Sequence, residues 1–169
     1  YYRLVYGESD LLPGLVVDRF GDHLSVQLNT AGMEAMREDV IAALTKVLKP
    51  ESILFRNDAG VRALEGLESE VSVGFGTPPK EVYLVENGVK FFAPMMDGQK
   101  TGWFYDQRPN RAWLKDIVKG KRVLDVFSYV GSFGVLAAVF GAKEVWCVDA
   151  SELALDRAQH NADLNEMGD

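Results

Sequence analysis

The sequence predicts two folds in one chain: a small α+β domain over residues 1–95, then the start of a doubly wound α/β sheet over residues 96–169. Three observations carry this. The first half alternates hairpin-type strands with one amphipathic helical stretch. The second half repeats a short apolar strand, a loop and a helix, the rhythm of a parallel sheet. The length, 169 residues, suits one domain or two small ones.

In the first half, Gly14-Leu15-Val16-Val17-Asp18-Arg19-Phe20 and His23-Leu24-Ser25-Val26-Gln27-Leu28 flank Gly21-Asp22, a pair tolerant of the positive φ of a two-residue hairpin turn. Pro13-Gly14 punctuates the approach to the first strand. A helix is predicted over residues 33–48, because Met36, Val40, Ile41, Leu44, Val47 and Leu48 recur at three- and four-residue steps and Pro50 lies just beyond. Residues 52–56 read as a further strand, while residues 58–73 show mixed charge and no clear period. After the break at Thr77-Pro78-Pro79, residues 82–86 and 89–92 flank Asn87-Gly88, the strongest hairpin signal in the chain. Nothing in this half has the pattern of a catalytic site.

In the second half, residues 107–118 read as a helix ended by Gly120. Arg122-Val123-Leu124-Asp125-Val126 is a short apolar run of the buried parallel-strand type. A loop reaching Ser132 leads into a helix over residues 133–140, closed by Gly141. Glu144-Val145-Trp146-Cys147-Val148 is a second such strand and Asp149 stands at its tip. Ser151 is a good N-cap, with Glu152 in the first turn, for a helix running to about Asn165.

Composition is that of a globular protein, 47% hydrophobic and 25% charged. No apolar run approaches the ~20 residues that cross a bilayer, and no signal-like segment opens the chain, so a cytoplasmic location without membrane contact is expected. The single cysteine, Cys147, excludes an internal disulfide. His23 and His160 stand alone, so no metal site is expected. The net charge of −7 argues against a protein that coats nucleic acid generally. Residues 97–122 reverse that sign, with Lys100, Arg108, Arg111, Lys115, Lys119, Lys121 and Arg122 against Asp97, Asp106 and Asp116. This is either a solvated face or the footprint of an anionic partner.

Ligands of doubly wound sheets bind outside the carboxyl ends of the strands. Two features meet there: the loop around Gly131, leading to a helix N-terminus with free N–H donors, and the carboxylate of Asp149, able to accept ribose hydroxyls. A dinucleotide site wants G-x-G-x-x-G, but here that pattern begins with Tyr129, followed by Gly131 and Gly134. The tyrosine obstructs the tight turn and Asp125 repels a pyrophosphate. S-adenosyl-L-methionine, with its sulfonium and amino group, suits those carboxylates better than a nicotinamide dinucleotide. A glycine-containing turn with no ligand is a third reading.

Val123-Leu124-Asp125-Val126-Phe127-Ser128-Tyr129-Val130-Gly131-Ser132-Phe133 resembles the first methyltransferase motif, in the D-x-F-x-x-x-G-x-F variant of base-methylating enzymes. Lys100-Thr101-Gly102-Trp103-Phe104-Tyr105-Asp106-Gln107-Arg108-Pro109-Asn110-Arg111 is similar to the K-T-G-x-x-x-D-Q-R-x-x-R signature of the 23S ribosomal RNA cytosine-C5 methyltransferase family, and residues 12–22 are similar to its small central domain.

The resemblance implies the start of a Rossmann-like methyltransferase sheet, an S-adenosyl-L-methionine cofactor and an RNA partner. Ser128, Tyr129, Gly131 and Ser132 would wrap the methionine portion of the cofactor, Asp149 would hold the ribose, and Ala150 and Ser151 would lie beside the adenine. Phe127 and Phe133 are expected to pack the loop. Lys100, Thr101, Gly102, Phe104, Asp106, Gln107, Arg108 and Arg111 are candidates for the pocket wall; alternatively, Asp106 caps its helix and the two arginines pair with acids. Family members also carry an RNA-binding module before this region and a D-P-P-K-like motif and cysteine region after it, so the fold is expected to be truncated here. Methylation at cytosine C5 needs a thiolate to add to C6, and Cys147 is expected in an inert strand. The chain alone is therefore expected to be inactive. An uncovered sheet face would favour a homodimer. Methylation of a non-RNA substrate and a non-catalytic RNA- or protein-binding module are the rival functions.

Overall fold

Five strands build the first sheet in simple sequence order: β1 (Tyr2–Tyr6), β2 (Leu15–Phe20), β3 (His23–Leu28), β4 (Ser52–Asn57) and β5 (Glu70–Gly76). The coordinates are a computed structural model and describe residues 1–168. Neighbouring strands are antiparallel except β3 and β4, which are parallel. A parallel pair needs a crossover, and α1 (Ala31–Ala35) with α2 (Arg37–Leu48) lies between those two strands in sequence. The hairpin turn at Gly21, φ 63°, pairs Phe20 with His23. The single helix expected over 33–48 starts earlier, capped by the Thr30 hydroxyl accepting the Met33 N–H, and breaks at Met36. Met36 and Val47, expected on the apolar face, are exposed.

Period-two alternation divides this sheet into two different faces. One face packs Leu15, Val17, Leu24, Val26, Leu28, Ile53 and Phe55 against Val40, Ile41, Leu44 and Leu48 of the helix. The other carries Asp18, Ser25, Gln27 and Arg56, all buried. Buried charge requires partners. Asp18 receives two hydrogen bonds from the Arg3 guanidinium, at 2.8 and 3.0 Å, and one from the Thr101 hydroxyl. Arg56 donates to the carbonyls of Met95 and Gly98 and pairs with Asp58. The segment from Ala93 to Trp103 is thereby tied to the sheet.

Two compact units result: Tyr1–Val82 with Ala93–Trp103, and Tyr83–Phe92 with the chain from Phe104 onward. The hairpin of β6 (Glu81–Glu86) and β7 (Val89–Pro94) turns at Asn87 and Gly88, φ 53° and 81°, and its distal part belongs to the second unit.

The second unit continues with a 3₁₀ turn (Tyr105–Gln107), α3 (Arg108–Ile117), β8 (Arg122–Val126), α4 (Ser132–Val139), β9 (Glu144–Val148) and α5 (Glu152–Leu164). β8 and β9 are parallel, with Asp125 opposite Cys147 and Val126 opposite Val148. The strand face bearing Val145 and Cys147 lies toward α4 and α5. The opposite face, Leu124, Val126, Trp146 and Val148, is 45–65% exposed. These strands read as buried on both faces; among the described residues they are covered on one. No helix among the described residues is long and apolar enough to cross a membrane.

Replacing Thr101 by valine removes a buried hydrogen bond to a carboxylate while keeping the volume, and should lower unfolding free energy by about 1.5–3 kcal/mol. Urea denaturation measures this; an unchanged midpoint would show that the Thr101–Asp18 bond does not anchor the segment.

Candidate functional site

At the carboxyl end of β8 the side chain of Asp125 points toward α4, where its Oδ2 accepts the Gly134 N–H at 2.9 Å. Burial raises its pKa above the ordinary carboxylate value; the Gly134 bond opposes the rise and the nearby charge of Asp149 adds to it. The chain then reverses through Phe127, Tyr129 and Gly131, with φ of 62°, 51° and 74°. Left-handed backbone costs a non-glycine residue about 1 kcal/mol or more, so two of these three positions need holding.

The holding bonds come from the tip of β9. The Ser128 N–H donates to the Val148 carbonyl at 3.1 Å, and the Tyr129 N–H donates to Asp149 Oδ2 at 2.8 Å. Asp149 Oδ1 accepts the Ser151 N–H at 3.0 Å. These bonds, Ser151 first and Tyr129 second, hold the Asp149 carboxyl below its ordinary value. A depressed folded-state pKa means that the strap contributes stability above the unfolded pKa and loses it as pH falls through the lowered value. A carboxylate offers about four lone-pair sites, so acceptor capacity remains beside these bonds. Gly131 closes the bend, with its N–H on the Ser128 carbonyl; a Cβ there would stand 2.8 Å from that of Ala158, so only glycine fits. At Gly134 a side chain would overlap Cys147 Sγ, which lets α4 lie close on the strands.

The structure brings together Ser128, Tyr129, Gly131, Ser132, Asp149, Ala150 and Ser151 around the two strand tips. Ser128 is buried and its hydroxyl lacks a well-formed hydrogen bond. Ser132 opens α4, and Ser151 caps α5 by accepting the Ala154 N–H. Phe104 joins them through its ring, edge-on to Tyr129 at 5.9 Å. Arg111, only 1% exposed, is held by Glu86 at 2.5 and 3.0 Å and by the Phe104 carbonyl at 2.8 Å. Its Nη1 reaches the Ser132 hydroxyl at 3.5 Å, and the guanidinium lies over the Phe133 ring. Asp106 does not cap α3: it accepts from the Gln107 side chain, and Gln107 is the cap position. Arg108 is exposed. Lys100, Thr101 and Gly102 fall in the first unit, where Thr101 donates to Asp18 and Gly102 adopts φ 107°. Two residues with structural leverage here were not foreseen: Glu86 gave no signal in its hairpin, whereas Asn161 could have been flagged as a poor helix former repeated four residues later by Asn165.

Cys147 is partly buried against α4, and burial, then the charge of Asp125, pushes its thiol up from 9.0 to about 11, slightly offset by Ser128. Among the described residues no group of three or more potential ligands could hold a metal ion.

A left-handed bend at the first strand tip, strapped to an acid at the tip of its parallel neighbour, lies outside the carboxyl ends of the strands, where folds of the doubly wound α/β class bind their ligands. Residues 67–168 match the family described as S-adenosylmethionine-dependent methyltransferase, and the chain belongs to that family. It is similar to ribosomal RNA large subunit methyltransferase I of Tolumonas auensis, 48% identical over 168 residues, covering 98% of this chain and 42% of that protein. Among solved structures it is similar to a protein of Streptococcus mutans described as a SAM-dependent methyltransferase, with TM-score 0.83 and 26% identity over 98% of this chain and 43% of that one. SMU.776, described as a methyltransferase and solved with SAH, superposes with TM-score 0.84 and 26% identity, over 98% of this chain and 42% of that one. The chain thus spans about two fifths of the length of these proteins.

The raised Cys147 pKa lowers its thiolate population near pH 8 by about a hundredfold. Iodoacetamide should therefore alkylate the native chain roughly ten- to a hundredfold more slowly than the urea-unfolded chain, allowing for the greater intrinsic nucleophilicity of a high-pKa thiolate. Equal rates would contradict the buried environment.

Proposed function

We propose that this chain holds S-adenosyl-L-methionine on its second unit and serves a methyltransferase acting on ribosomal RNA, with cytosine C5 as the target position. The observation that carries the proposal is the Asp149 carboxylate bonded to the Tyr129 N–H, which fixes the glycine bend and an acid side by side at adjacent strand tips. Three features support this cofactor. Asp125 and Asp149 repel each other, so a ligand bearing cationic sulfonium and ammonium groups is favoured and a pyrophosphate is not. The Ser128 hydroxyl, buried and without a well-formed hydrogen bond, is a polar group in the same loop. The first-turn N–H groups of Ser132 and Phe133 have no intrahelical acceptor and suit a carboxylate such as that of the methionine portion.

The bound cofactor would supply the methyl group. The chain's residues hold it: the loop wraps the methionine end, Asp149 accepts ribose hydroxyls through its remaining lone pairs, and Ala150 and Ser151 flank the adenine. The RNA substrate is supported by the names of the relatives and by exposed Arg108, Lys115, Lys119, Lys121 and Arg122 in a chain of net charge −7. The C5 position is supported by the K-T-G and D-Q-R motifs. Its thiolate does not come from Cys147, the chain's only thiol, whose pKa is about 11. The exposed face of Leu124, Val126, Trp146 and Val148 supports a second copy of this chain as a partner.

Titration calorimetry should show S-adenosylhomocysteine binding and no NAD binding, and Asp149→Ala should weaken the affinity about tenfold or more. NAD binding, no S-adenosylhomocysteine binding, or an unchanged Asp149→Ala affinity would contradict the cofactor assignment. Sedimentation of the same sample should show dimers at micromolar concentration, and a monomer would remove the partner copy.

A further inference from the structure

An edge strand leaves every second residue's N–H and carbonyl unpaired. In the second unit the outer edge of β7 is paired by side chains. Asn161 Oδ1 accepts the Phe92 N–H at 2.8 Å and Asn161 Nδ2 donates to the Phe92 carbonyl at 3.2 Å. Asn165 repeats the pattern on Lys90, at 3.1 and 2.7 Å. The match is geometric: four residues of helix advance about 6 Å and two residues of strand about 6.7 Å. Asn161 on α5 and Asn165 at its C-cap, one turn apart, thus replace a neighbouring strand.

Asn161 differs from Asn165 in two respects. It is fully buried, and its Nδ2 makes a further bond, to the Val130 carbonyl at 3.1 Å. Val130 is itself fully buried, between Tyr129 and Gly131 in the bend. A carboxamide has two N–H donors and one carbonyl acceptor group. All three bond here, tying the hairpin edge, α5 and the bend together at one side chain. Asn165, the C-cap of α5, spends its second donor on the Asn161 backbone carbonyl.

Resting on the cofactor assignment above, we propose that Asn161 is a positioning residue for the cofactor loop, transmitting the docking of the hairpin to the conformation of residues 127–131. Tyr129 and Phe127 hold left-handed backbone that the chain alone does not favour. The Ser128 and Tyr129 N–H groups are bonded from the β9 side and the Gly131 N–H within the bend, and the Val130 carbonyl is bonded by Asn161. Without that bond a buried carbonyl loses its donor, and the bend keeps only its bonds to the β9 tip and within itself.

The test compares Asn161→Ala with Asn165→Ala in the full chain. Each removes one pair of strand-edge bonds, but the first also frees the Val130 carbonyl. Hydrogen exchange at the Tyr129 and Gly131 amides should accelerate about tenfold or more in Asn161→Ala and stay within about twofold of wild type in Asn165→Ala. Affinity for S-adenosylhomocysteine should fall about fivefold or more in the first variant only. If Asn161→Ala does not fold, Asn161→Asp, which keeps the size and the acceptor for Phe92, should loosen the same amides. Equal loosening by both positions, or none by either, would overturn the proposal. If wild type does not bind S-adenosylhomocysteine, the cofactor assignment fails, yet the exchange contrast still decides whether Asn161 holds the loop.

Discussion

The hydrogen bond from the Tyr129 N–H to the carboxylate of Asp149 is the interaction on which the rest depends. A loop that leaves a strand and enters a helix within five residues must reverse sharply, and here it does so through left-handed backbone at two bulky residues. Such a conformation persists only where its surroundings impose it. The tip of the neighbouring parallel strand does so, with a carbonyl for Ser128 and a carboxylate for Tyr129. The same carboxylate, ionised at neutral pH, keeps lone pairs toward solvent. The group that straps the bend therefore keeps acceptor capacity of its own. Its neighbour Asp125 is committed to α4, so the two acids at the strand tips divide the work.

Around that bend the second unit is held by buried side chains reaching across long stretches of sequence. Glu86 and Arg111, 3% and 1% exposed, form a bidentate pair whose guanidinium also serves Phe104 and approaches Ser132. Removing either partner of such a pair typically costs about 3–5 kcal/mol, because the other charge is left buried. The first unit uses the same device with Asp18, Arg3 and Thr101. Thr101 and Arg111, which belong to the motif segments that carry the family resemblance, thus have their polar atoms committed to anchoring. A motif residue can matter because it fixes the backbone that presents its neighbours.

The parts legible from sequence were those written in local pattern. Residues 122–126 and 144–148, each an apolar run set off by glycine or charge, gave both parallel strands, and Ser151 marked the start of the last helix. Asn87-Gly88 fixed one hairpin and Gly21-Asp22 the other. Gly131 and Asp149 were legible because turn chemistry and strand-tip acids have few alternatives. β1 was missed, since five residues at the chain start give little period to read. β5 was hidden by Gly74 and Gly76 within its run. The helix break at Met36 followed no breaker residue. Partners separated by many residues, such as Thr101 with Asp18 or Asn161 with Phe92, left no trace in spacing because only the folded backbone brings them together.

The most direct test is a titration of the isotope-labelled chain with S-adenosylhomocysteine followed by backbone amide NMR. The resonances of residues 128–133 and 149–151 should shift together and saturably, while those of the first sheet, residues 15–28 and 52–57, stay in place. Saturable shifts confined to the first sheet, or no shifts at millimolar ligand, would contradict a cofactor site built on the Tyr129–Asp149 strap.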